Sequence, residues 1–388
     1  MIARVGKECC GCGACANICP KHCIRMTENH EGFLYPQMQE ENCVNCGTCE
    51  KVCPVLQEAS AQDSGKQARA VMNRDQDVLM KSSSGGLFSA LADEIIARGG
   101  CVFGAAFTAD FGRVHHRMAE NIEDLCALRG SKYMQSDLED CYPAVREQLN
   151  QGRWVLFTGT PCQIAGLKGF LGRNHERLIC ADVICHGAPS SLLWRSYLKH
   201  IQKKLGGRVS VVCFRDKTDG WKKYGIKITA EDGRTYRCAM GQDPYLRMFL
   251  KNVCLRESCY HCKVKENGFF SDITMGDLWG VEQILPETEC DLGVSFALVH
   301  TEKGKHLFEQ AGRGLNVLPI DYEQALMHNP LLTGSVRRPD ARDDFFSDLE
   351  TLSWSKLERR YAKDRIDTVV RRKISASPIG KLKRAIIR

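Results

Sequence analysis

The stretch CCGCGACANICPKHC, residues 9–23, places six cysteines within fifteen positions. Such density in a small secreted domain normally indicates a disulfide framework. This chain, however, has 388 residues, of which 43% are hydrophobic, so it can bury a core without cross-links. Its first residues also do not resemble a signal peptide. We therefore expect a cytoplasmic protein in a reducing environment, where clustered cysteines more often bind metal or carry electrons.

The spacing of these cysteines indicates iron–sulfur clusters. Residues 9–20 follow the pattern C-x2-C-x2-C-x3-C-P, and residues 43–54 repeat it. Three thiolates from one loop can hold one face of a four-iron cube, while the cysteine before the proline reaches the cube of the other half. The predicted ligands of one cluster are Cys9, Cys12, Cys15 and Cys53, and those of the other cluster are Cys43, Cys46, Cys49 and Cys19.

Zinc is the alternative metal for these residues. Zinc sites usually bring two separated pairs of ligands, so a run of three cysteines with a trailing Cys-Pro disfavours zinc. Cys10 and Cys23 lie outside the ligand pattern and are interpreted as bystander thiols. Residues 1–57 resemble the bacterial two-cluster ferredoxin domain, which implies an α+β ferredoxin-like fold with two 4Fe-4S clusters.

A second domain is predicted to follow a polar linker over residues 58–69. From residue 70, short apolar strands alternate with amphipathic helices, as in the strand CVFGAAF and the helix LFSALADEIIARG. This alternation predicts an α/β domain with a largely parallel sheet over residues 70–335. Residues 336–388 are predicted to form a basic helical C-terminal tail.

Two strand–turn–helix units of this domain carry a cysteine just after the strand, namely Cys162 in GTPCQ and Cys185 in ICHG. Because parallel strands end at the same edge of a sheet, these two thiols can converge. The later segment CLRESCYHCK adds a C-x2-C pair, Cys259 and Cys262. We predict that these four cysteines bind a third 4Fe-4S cluster, with Cys254 as the reserve ligand. Burial of Cys162 and Cys185 as small apolar side chains is the alternative.

Several motifs of the second domain together resemble the beta-subunit family of coenzyme F-420 hydrogenases and dehydrogenases. The motifs are SSSGGLFSAL, GSKYMQS, GTPCQ, RESCYHCK and SDITMGDLWG, and the resemblance spans about residues 70–300. It implies FAD bound beside an iron–sulfur cluster and hydride exchange with a deazaflavin or another two-electron partner.

The residues themselves also indicate a flavin site. Serines and glycines precede a predicted helix at residues 82–86, where backbone N–H groups and hydroxyls can bind a pyrophosphate, although a serine-rich helix cap is the alternative. Lys132 offers a cation for phosphate and Tyr133 an aromatic face for a ring, although a solvated loop is the alternative for this segment. The predicted FAD-binding residues are Ser83, Ser84, Gly85, Gly86, Ser131, Lys132, Tyr133, Thr158, Gly159 and Thr160.

His186 is the candidate catalytic residue because it follows Cys185 and can donate a hydrogen bond to reduced flavin or to a substrate. A packing role for this histidine is the alternative. Asp277 and Trp279 are predicted to line the same pocket, with a turn that buries an aromatic ring as the alternative.

These inferences predict an enzyme, a flavin-dependent iron–sulfur oxidoreductase. It would pass electrons between its ferredoxin-type clusters and FAD, and exchange hydride with a deazaflavin or another small organic acceptor. The alternative is an electron-transfer subunit that has no substrate of its own and relays electrons to a partner enzyme. Both functions require a protein that donates or accepts electrons.

The charge of the chain is uneven. The formal net charge is +7, but residues 355–388 carry twelve basic and three acidic residues, so the remainder is slightly acidic. This basic segment leaves open a peripheral contact with an anionic membrane, whereas a solvated terminal helix is the alternative. No run of 18 apolar residues predicts a transmembrane segment. Nucleic-acid binding is not predicted, because this charge run alone would support it.

Overall fold

The computed structural model describes residues 2–57 and 67–363. Most of the predicted linker and residues 364–388 of the predicted tail lie outside this range. The strands of the described residues are β1 Ile24–Glu28, β2 Leu34–Met38, β3 Gln67–Asn73, β4 Cys101–Phe107, β5 Val114–Ala119, β6 Ser136–Asp137, β7 Val155–Gly159, β8 Leu178–Val183, β9 Val209–Asp216, β10 Gly225–Ala230, β11 Thr235–Ala239, β12 Ile273–Asp277, β13 Ser295–Val299 and β14 Leu315–Pro319.

The α-helices of the described residues alternate with these strands over much of the chain. They are α1 Ala14–Ile18, α2 Thr48–Lys51, α3 Gln76–Lys81, α4 Leu87–Ala97, α5 Ile122–Leu128, α6 Cys141–Asn150, α7 Pro161–Leu171, α8 Ser191–Leu205, α9 Pro244–Leu250, α10 Lys263–Glu266, α11 Val281–Ile284, α12 Glu302–Ala311, α13 Tyr322–His328, α14 Arg342–Thr351 and α15 Trp354–Leu357. Among the described residues, none of the helices has the length and apolar character needed to cross a membrane.

A nine-stranded sheet forms the centre of the larger part of the chain, in the order β14-β3-β13-β12-β8-β7-β4-β5-β6. Strands β12, β8, β7 and β4 are parallel neighbours. Their apolar side chains are buried between helices, as expected for parallel strands covered on both faces. The parallel centre places the ends of β7, β8 and β12 at one edge, where ligands of such sheets gather.

The sheet is mixed rather than largely parallel, and this part of the prediction needs correction. Strands β13, β3 and β14 are antiparallel to their neighbours on one side, and β5 is antiparallel to β4 on the other. The loop between β4 and β5 spans residues 108–113, which is too short for a crossover to a parallel strand. Only strands linked by long helical connections are therefore parallel in the centre.

A second core lies beside a three-stranded antiparallel sheet formed by β11, β10 and β9. Helices α8, α9, α14 and α15 contribute to this core, with Phe345, Phe346 and Leu357 almost fully buried. Residues 342–362 of the predicted basic tail are therefore part of the packed protein. The rest of the tail, residues 364–388, lies outside the described residues.

The N-terminal residues pack directly against the larger sheet domain. Strands β1 and β2 pair antiparallel over the predicted Glu-Gly turn, and the two short helices α1 and α2 follow the cysteine loops. Helix α1 contacts α7, the helix that follows β7 and carries Cys162. The loop of the first cysteine motif is thus held next to the edge where β7 ends.

Candidate functional site

The first cysteine loop is shaped by glycines that its backbone requires. Gly11 and Gly13 have φ of 70° and 71°, the left-handed region that favours glycine. A Cβ at Gly11 would lie 2.2 Å from Nε2 of Gln135, so the loop also needs glycine for close approach. Gly13 then begins α1, which carries Cys15.

The structure brings Cys53 of the second motif to cysteines of the first. Burial raises the pKa of Cys15 to about 12, and the nearby Cys9, Cys53 and Cys49 raise it further. Burial also raises the pKa of Cys53, with added contributions from Cys9 and Cys49. Cys12 lies on the same loop and is likewise buried. These neighbours match the predicted first ligand set, while Cys49 lies near both loops.

Cys19 of the first motif lies on the side of the second loop. It is within electrostatic range of Cys46, and its Sγ is 3.4 Å from Sγ of Cys23, which in turn neighbours Cys43. Cys46 is exposed to solvent and accepts a hydrogen bond of 3.3 Å from the Thr48 hydroxyl. The second loop is thus the solvent-facing end of the two-loop arrangement.

The four predicted ligands of the third cluster also lie together. Burial is the largest cause that raises the pKa of Cys185, and the neighbouring Cys259, Cys162 and Cys262 raise it as well. The backbone N–H of Ala188 donates to Sγ of Cys259 over 3.3 Å. The edge of the sheet therefore gathers two thiols from β7 and β8 with the C-x2-C pair.

Cys254, the reserve ligand, is placed differently. It is fully buried in the second core among apolar side chains, and burial raises the pKa of its thiol to about 12. The charged group that acts on it is Arg342. This position suits a small packing residue.

All 22 cysteines are free thiols. Among the described residues, no three His, Cys, Asp or Glu side chains could hold a single metal ion. A four-iron cube spreads its four thiolates over different irons, so its ligands need not converge on one ion. The three groups of four thiols fit the donor set of such cubes.

Helix α7 allows the two parts of the chain to meet closely. A Cβ at Gly166 would lie 2.9 Å from Sγ of Cys12, and a Cβ at Gly169 would lie 2.5 Å from the carbonyl oxygen of Val52. At the start of the helix, Cys10 is hydrogen-bonded to Cys162. The loop of the first motif therefore touches a predicted ligand of the third cluster.

Replacing Gly169 by alanine should weaken this junction. In an exposed helix the change would stabilise by about 1 kcal/mol, but here the new methyl overlaps backbone, and overpacking costs about 1–3 kcal/mol. We expect the thermal midpoint of anaerobic protein to fall by several degrees. Gly312→Ala is the control because nothing lies within 4 Å of its Cβ position. An unchanged midpoint for Gly169→Ala would contradict the observed junction.

The serine-glycine segment at residues 82–86 is held by neighbouring elements. The hydroxyl of Ser84 donates to the Val294 carbonyl, and the N–H of Gly85 donates to the hydroxyl of Ser295. Gly86 is the N-cap of α4 and, as a glycine, supplies no side chain to the first N–H groups of that helix. The end of α4 thus retains the character of an anion site, while Ser84 and Gly85 serve the fold.

The RGSKY segment lies against the same loop. Ser83 Oγ accepts hydrogen bonds from the N–H and the hydroxyl of Ser131, at 2.7 and 2.9 Å. Lys132 donates to two carbonyls at the end of α5, and burial lowers its pKa to about 7. Tyr133 stacks on Phe249 with ring centroids 5.0 Å apart. The structure thus brings the predicted residues of both segments together.

The three predicted residues after β7 reach the same region. Thr158 donates its hydroxyl to Phe103, and its carbonyl is 2.9 Å from Nε2 of His116. Thr160 caps α7 and lies 3.2 Å from Sγ of Cys162 through its hydroxyl. Gly159 lies between them at the end of the strand. This turn therefore connects the proposed flavin and cluster residues.

His186 is held by two neighbours. Its Nε2 is 2.7 Å from Oδ1 of Asn252, an acceptor, so Nε2 carries the hydrogen. The imidazole also packs against Phe249, with ring centroids 4.6 Å apart. Burial lowers the pKa of His186, which favours the neutral ring. Through Phe249, His186 is in one aromatic cluster with Tyr133.

Arg215 and Lys217, which the sequence analysis did not select, connect these segments. Buried Arg215 pairs with Asp277 at 2.9 Å and lies 3.4 Å from the Tyr133 hydroxyl. Lys217 donates to three carbonyls, including that of Ser84, and burial lowers its pKa to about 8. A basic residue at the end of a strand, followed by RDKTDG, was the available signal.

The aromatic side chains near Asp277 form a partly open surface. Trp221 donates to Asp277 over 3.2 Å and stacks on Trp279 with ring centroids 5.2 Å apart. Trp279 is 37% exposed, whereas Trp221 is fully buried. Tyr224 beneath Arg215 borders a cavity of about 650 Å³. Asp277 and Trp279 are therefore part of the same edge as the turns after β7 and β8.

Comparison with known families gives two matches. Residues 152–321 match the family described as the C terminus of the coenzyme F420 hydrogenase/dehydrogenase beta subunit, and residues 8–56 match the "4Fe-4S dicluster domain". The second segment contains all eight cysteines of the repeated pattern. The first contains the four predicted ligands of the third cluster, while residues 82–86 and 131–133 precede it.

Thirteen chains of solved structures also match. One belongs to the structure titled "Xenon derivatization of the F420-reducing [NiFe] hydrogenase complex from Methanosarcina barkeri", with 16% identity and a TM-score of 0.44. The match covers 73% of this chain and 98% of that chain. The comparison with curated proteins gives no match.

Proposed function

Because the chain belongs to the coenzyme F420 hydrogenase/dehydrogenase beta-subunit family and carries a 4Fe-4S dicluster domain, we propose that it is a flavin-dependent iron–sulfur oxidoreductase. It would pass electrons between the ferredoxin-type clusters and FAD, and exchange hydride with a deazaflavin or another small organic acceptor. Iron–sulfur electron transfer is the general function of such a subunit. The flavin, the third cluster and the substrate are the parts proposed here.

The observation that carries the proposal is the contact between Cys10 and Cys162 across the junction with α7. It places the backbone of the first cysteine loop beside a predicted ligand of the third cluster. Electron transfer between clusters requires proximity, and the close approach at Gly166 and Gly169 supplies it. A ferredoxin domain that served only as a separate module would not need this junction.

The exposure of the cysteines gives the proposed path a direction in space. Cys46 is exposed and Val44 beside it is 57% exposed, whereas Cys12 and Cys15 are buried. The second loop therefore faces an external electron-transfer protein, and the first loop faces the protein interior. Burial of the inner thiols excludes water and tunes the potential of the group they bind.

FAD, when bound, supplies two-electron hydride chemistry that one-electron iron–sulfur clusters lack. The residues proposed to hold it are those of the two joined segments around Ser83 and Ser131. The end of α4 and Lys132 would face its negative phosphates, and loss of burial-imposed neutrality at Lys132 would accompany that contact. Tyr133 and Arg215 would order the adjacent aromatic cluster.

His186 is proposed to act near the acceptor. Its hydrogen on Nε2 is directed at Asn252, so the imidazole is held in one orientation. A neutral histidine in this position can offer or receive a proton when an acceptor is reduced. The proposal assigns no other acid–base group.

Anaerobic purification of the full chain, with an absorbance spectrum and quantification of iron, sulfide and flavin, tests this function. We expect about twelve iron atoms and one FAD per chain, from three four-iron cubes. About eight iron atoms and no flavin would overturn the proposed enzyme. Reduction of a deazaflavin by the isolated chain would support an enzyme with its own substrate, whereas reduction only in a complex would support the relay subunit.

A further inference from the structure

Arg256 is a buried side chain that links the first cysteine loop to the segment of Cys259 and Cys262. Its side chain has no exposed surface, and its Nε donates to the carbonyl oxygen of Cys9 over 2.6 Å. The hydroxyl of Ser258 donates to the same carbonyl over 3.1 Å. Two neighbouring residues of one segment therefore hold the loop of the other.

The orientation of the guanidinium is fixed on two more sides. Its Nη1 donates to Oε1 of Gln135 over 3.1 Å, and Gln135 also bonds the carbonyls of Cys10 and Gly11. The guanidinium lies over the ring of Tyr35, 4.0 Å from its centroid. The position of Nη2 follows from these contacts because the guanidinium is planar.

The remaining nitrogen, Nη2, is buried and has no hydrogen-bond partner among residues 2–57 and 67–363. A buried charged donor without a partner is costly, so it normally has one in the working protein. The guanidinium also acts electrostatically on the thiols of Cys162 and Cys259. Both are predicted ligands of the third cluster, so the unpartnered donor and a sulfur-rich group lie in one place.

We infer that Arg256 donates from Nη2 to a sulfur of the third cluster, while Nε holds the Cys9 loop of the ferredoxin domain. The inference rests on the third cluster of the proposed function. Arg256 is thus a positioning residue that joins two electron carriers and raises the reduction potential of one of them. The RESCYHCK motif places it three residues before Cys259.

The direction of the effect follows from charge. A reduced cluster carries one more negative charge than an oxidised cluster. A nearby cation and an N–H···S hydrogen bond stabilise the added charge, which raises the reduction potential. The interior has a lower effective dielectric constant than water, so the guanidinium acts strongly there. An uncharged replacement should therefore make the third cluster harder to reduce.

The test is a potentiometric titration of the anaerobic full-length protein, followed by EPR spectroscopy of each cluster. At the potential where the wild-type third cluster is half reduced, we expect Arg256→Gln to be about tenfold less reduced relative to its oxidised form, a shift of about 59 mV. The ferredoxin-type clusters should shift much less. Arg256→Lys retains the charge and should shift in the same direction by a smaller amount.

Arg342→Gln is the matched control. Arg342 is also buried and also holds the N-terminal part, through Glu31 at 2.8 Å, but it acts on Cys254 rather than on the predicted cluster ligands. An equal shift in this control, or no shift in either Arg256 variant that retains about twelve iron atoms, would overturn the inference. If Arg256→Gln loses iron, Arg256→Lys decides. Wild-type protein with only eight iron atoms would instead refute the proposed third cluster itself.

Discussion

Cys53→Ala is expected to remove about four of about twelve iron atoms, together with the same EPR signal that Cys9→Ala removes. The expectation follows from the crossed arrangement of the two loops. Cys53 belongs to the second motif by sequence, but its thiol lies near Cys9 and Cys15 of the first. Loss of one of four thiolates normally destabilises the whole cube, so the loss should be near complete.

The converse variant sharpens this prediction. Cys19→Ala should remove the signal that Cys43→Ala removes, because Cys19 lies on the side of Cys46. Cys23→Ala is the control, since its Sγ is only 3.4 Å from that of Cys19 although it lies outside the motif. It should retain about twelve iron atoms. If Cys53→Ala and Cys43→Ala instead removed one common signal, the crossed ligand sets would be wrong.

The repeated cysteine spacing was sufficient to predict the N-terminal domain, which the family comparison confirms. The pattern is local, since each motif fits on one loop and its ligand order is set by covalent connectivity. The role of Cys10 could not be obtained in this way. It lies outside the pattern, and its contact with Cys162 depends on how α1 packs against α7.

The strands and helices around β7, α7 and β8 were also predictable, because apolar runs bounded by turns are local signals. The antiparallel flanks of the sheet were not predicted. Strand order depends on contacts between segments far apart in sequence, such as β3 between β13 and β14. The three-stranded sheet was missed for the same reason, and with it Arg215 at the end of β9.

The C-terminal segment shows how average charge can hide a core element. The basic character of residues 355–388 led to the prediction of a tail from residue 336 onward. Phe345, Phe346 and Leu349 nevertheless form an apolar helical face that packs in the second core. This periodicity was present in the sequence. Its partners on α8 and α9 became apparent only in three dimensions.

Cys162→Ala is expected to reduce the iron content from about twelve to about eight atoms per chain, while the two ferredoxin-type clusters remain. Cys162 is close to all three other predicted ligands, and its contact with Cys10 lies on the junction with the first loop. The loss should also slow reduction of bound flavin by an external ferredoxin by several orders of magnitude, because the shortest route between the two parts is removed.

Cys254→Ala separates this effect from general damage to the fold. Its thiol is fully buried in the second core, so the change should cost about 1 kcal/mol of stability but leave about twelve iron atoms in place. Iron quantification and EPR spectroscopy of both variants, purified without air, provide the measurement. If Cys254→Ala lost four iron atoms and Cys162→Ala kept them, the reserve ligand would be the true one. The edge formed by β7 and β8 would then hold no cluster at Cys162, and the contact with Cys10 would be packing alone.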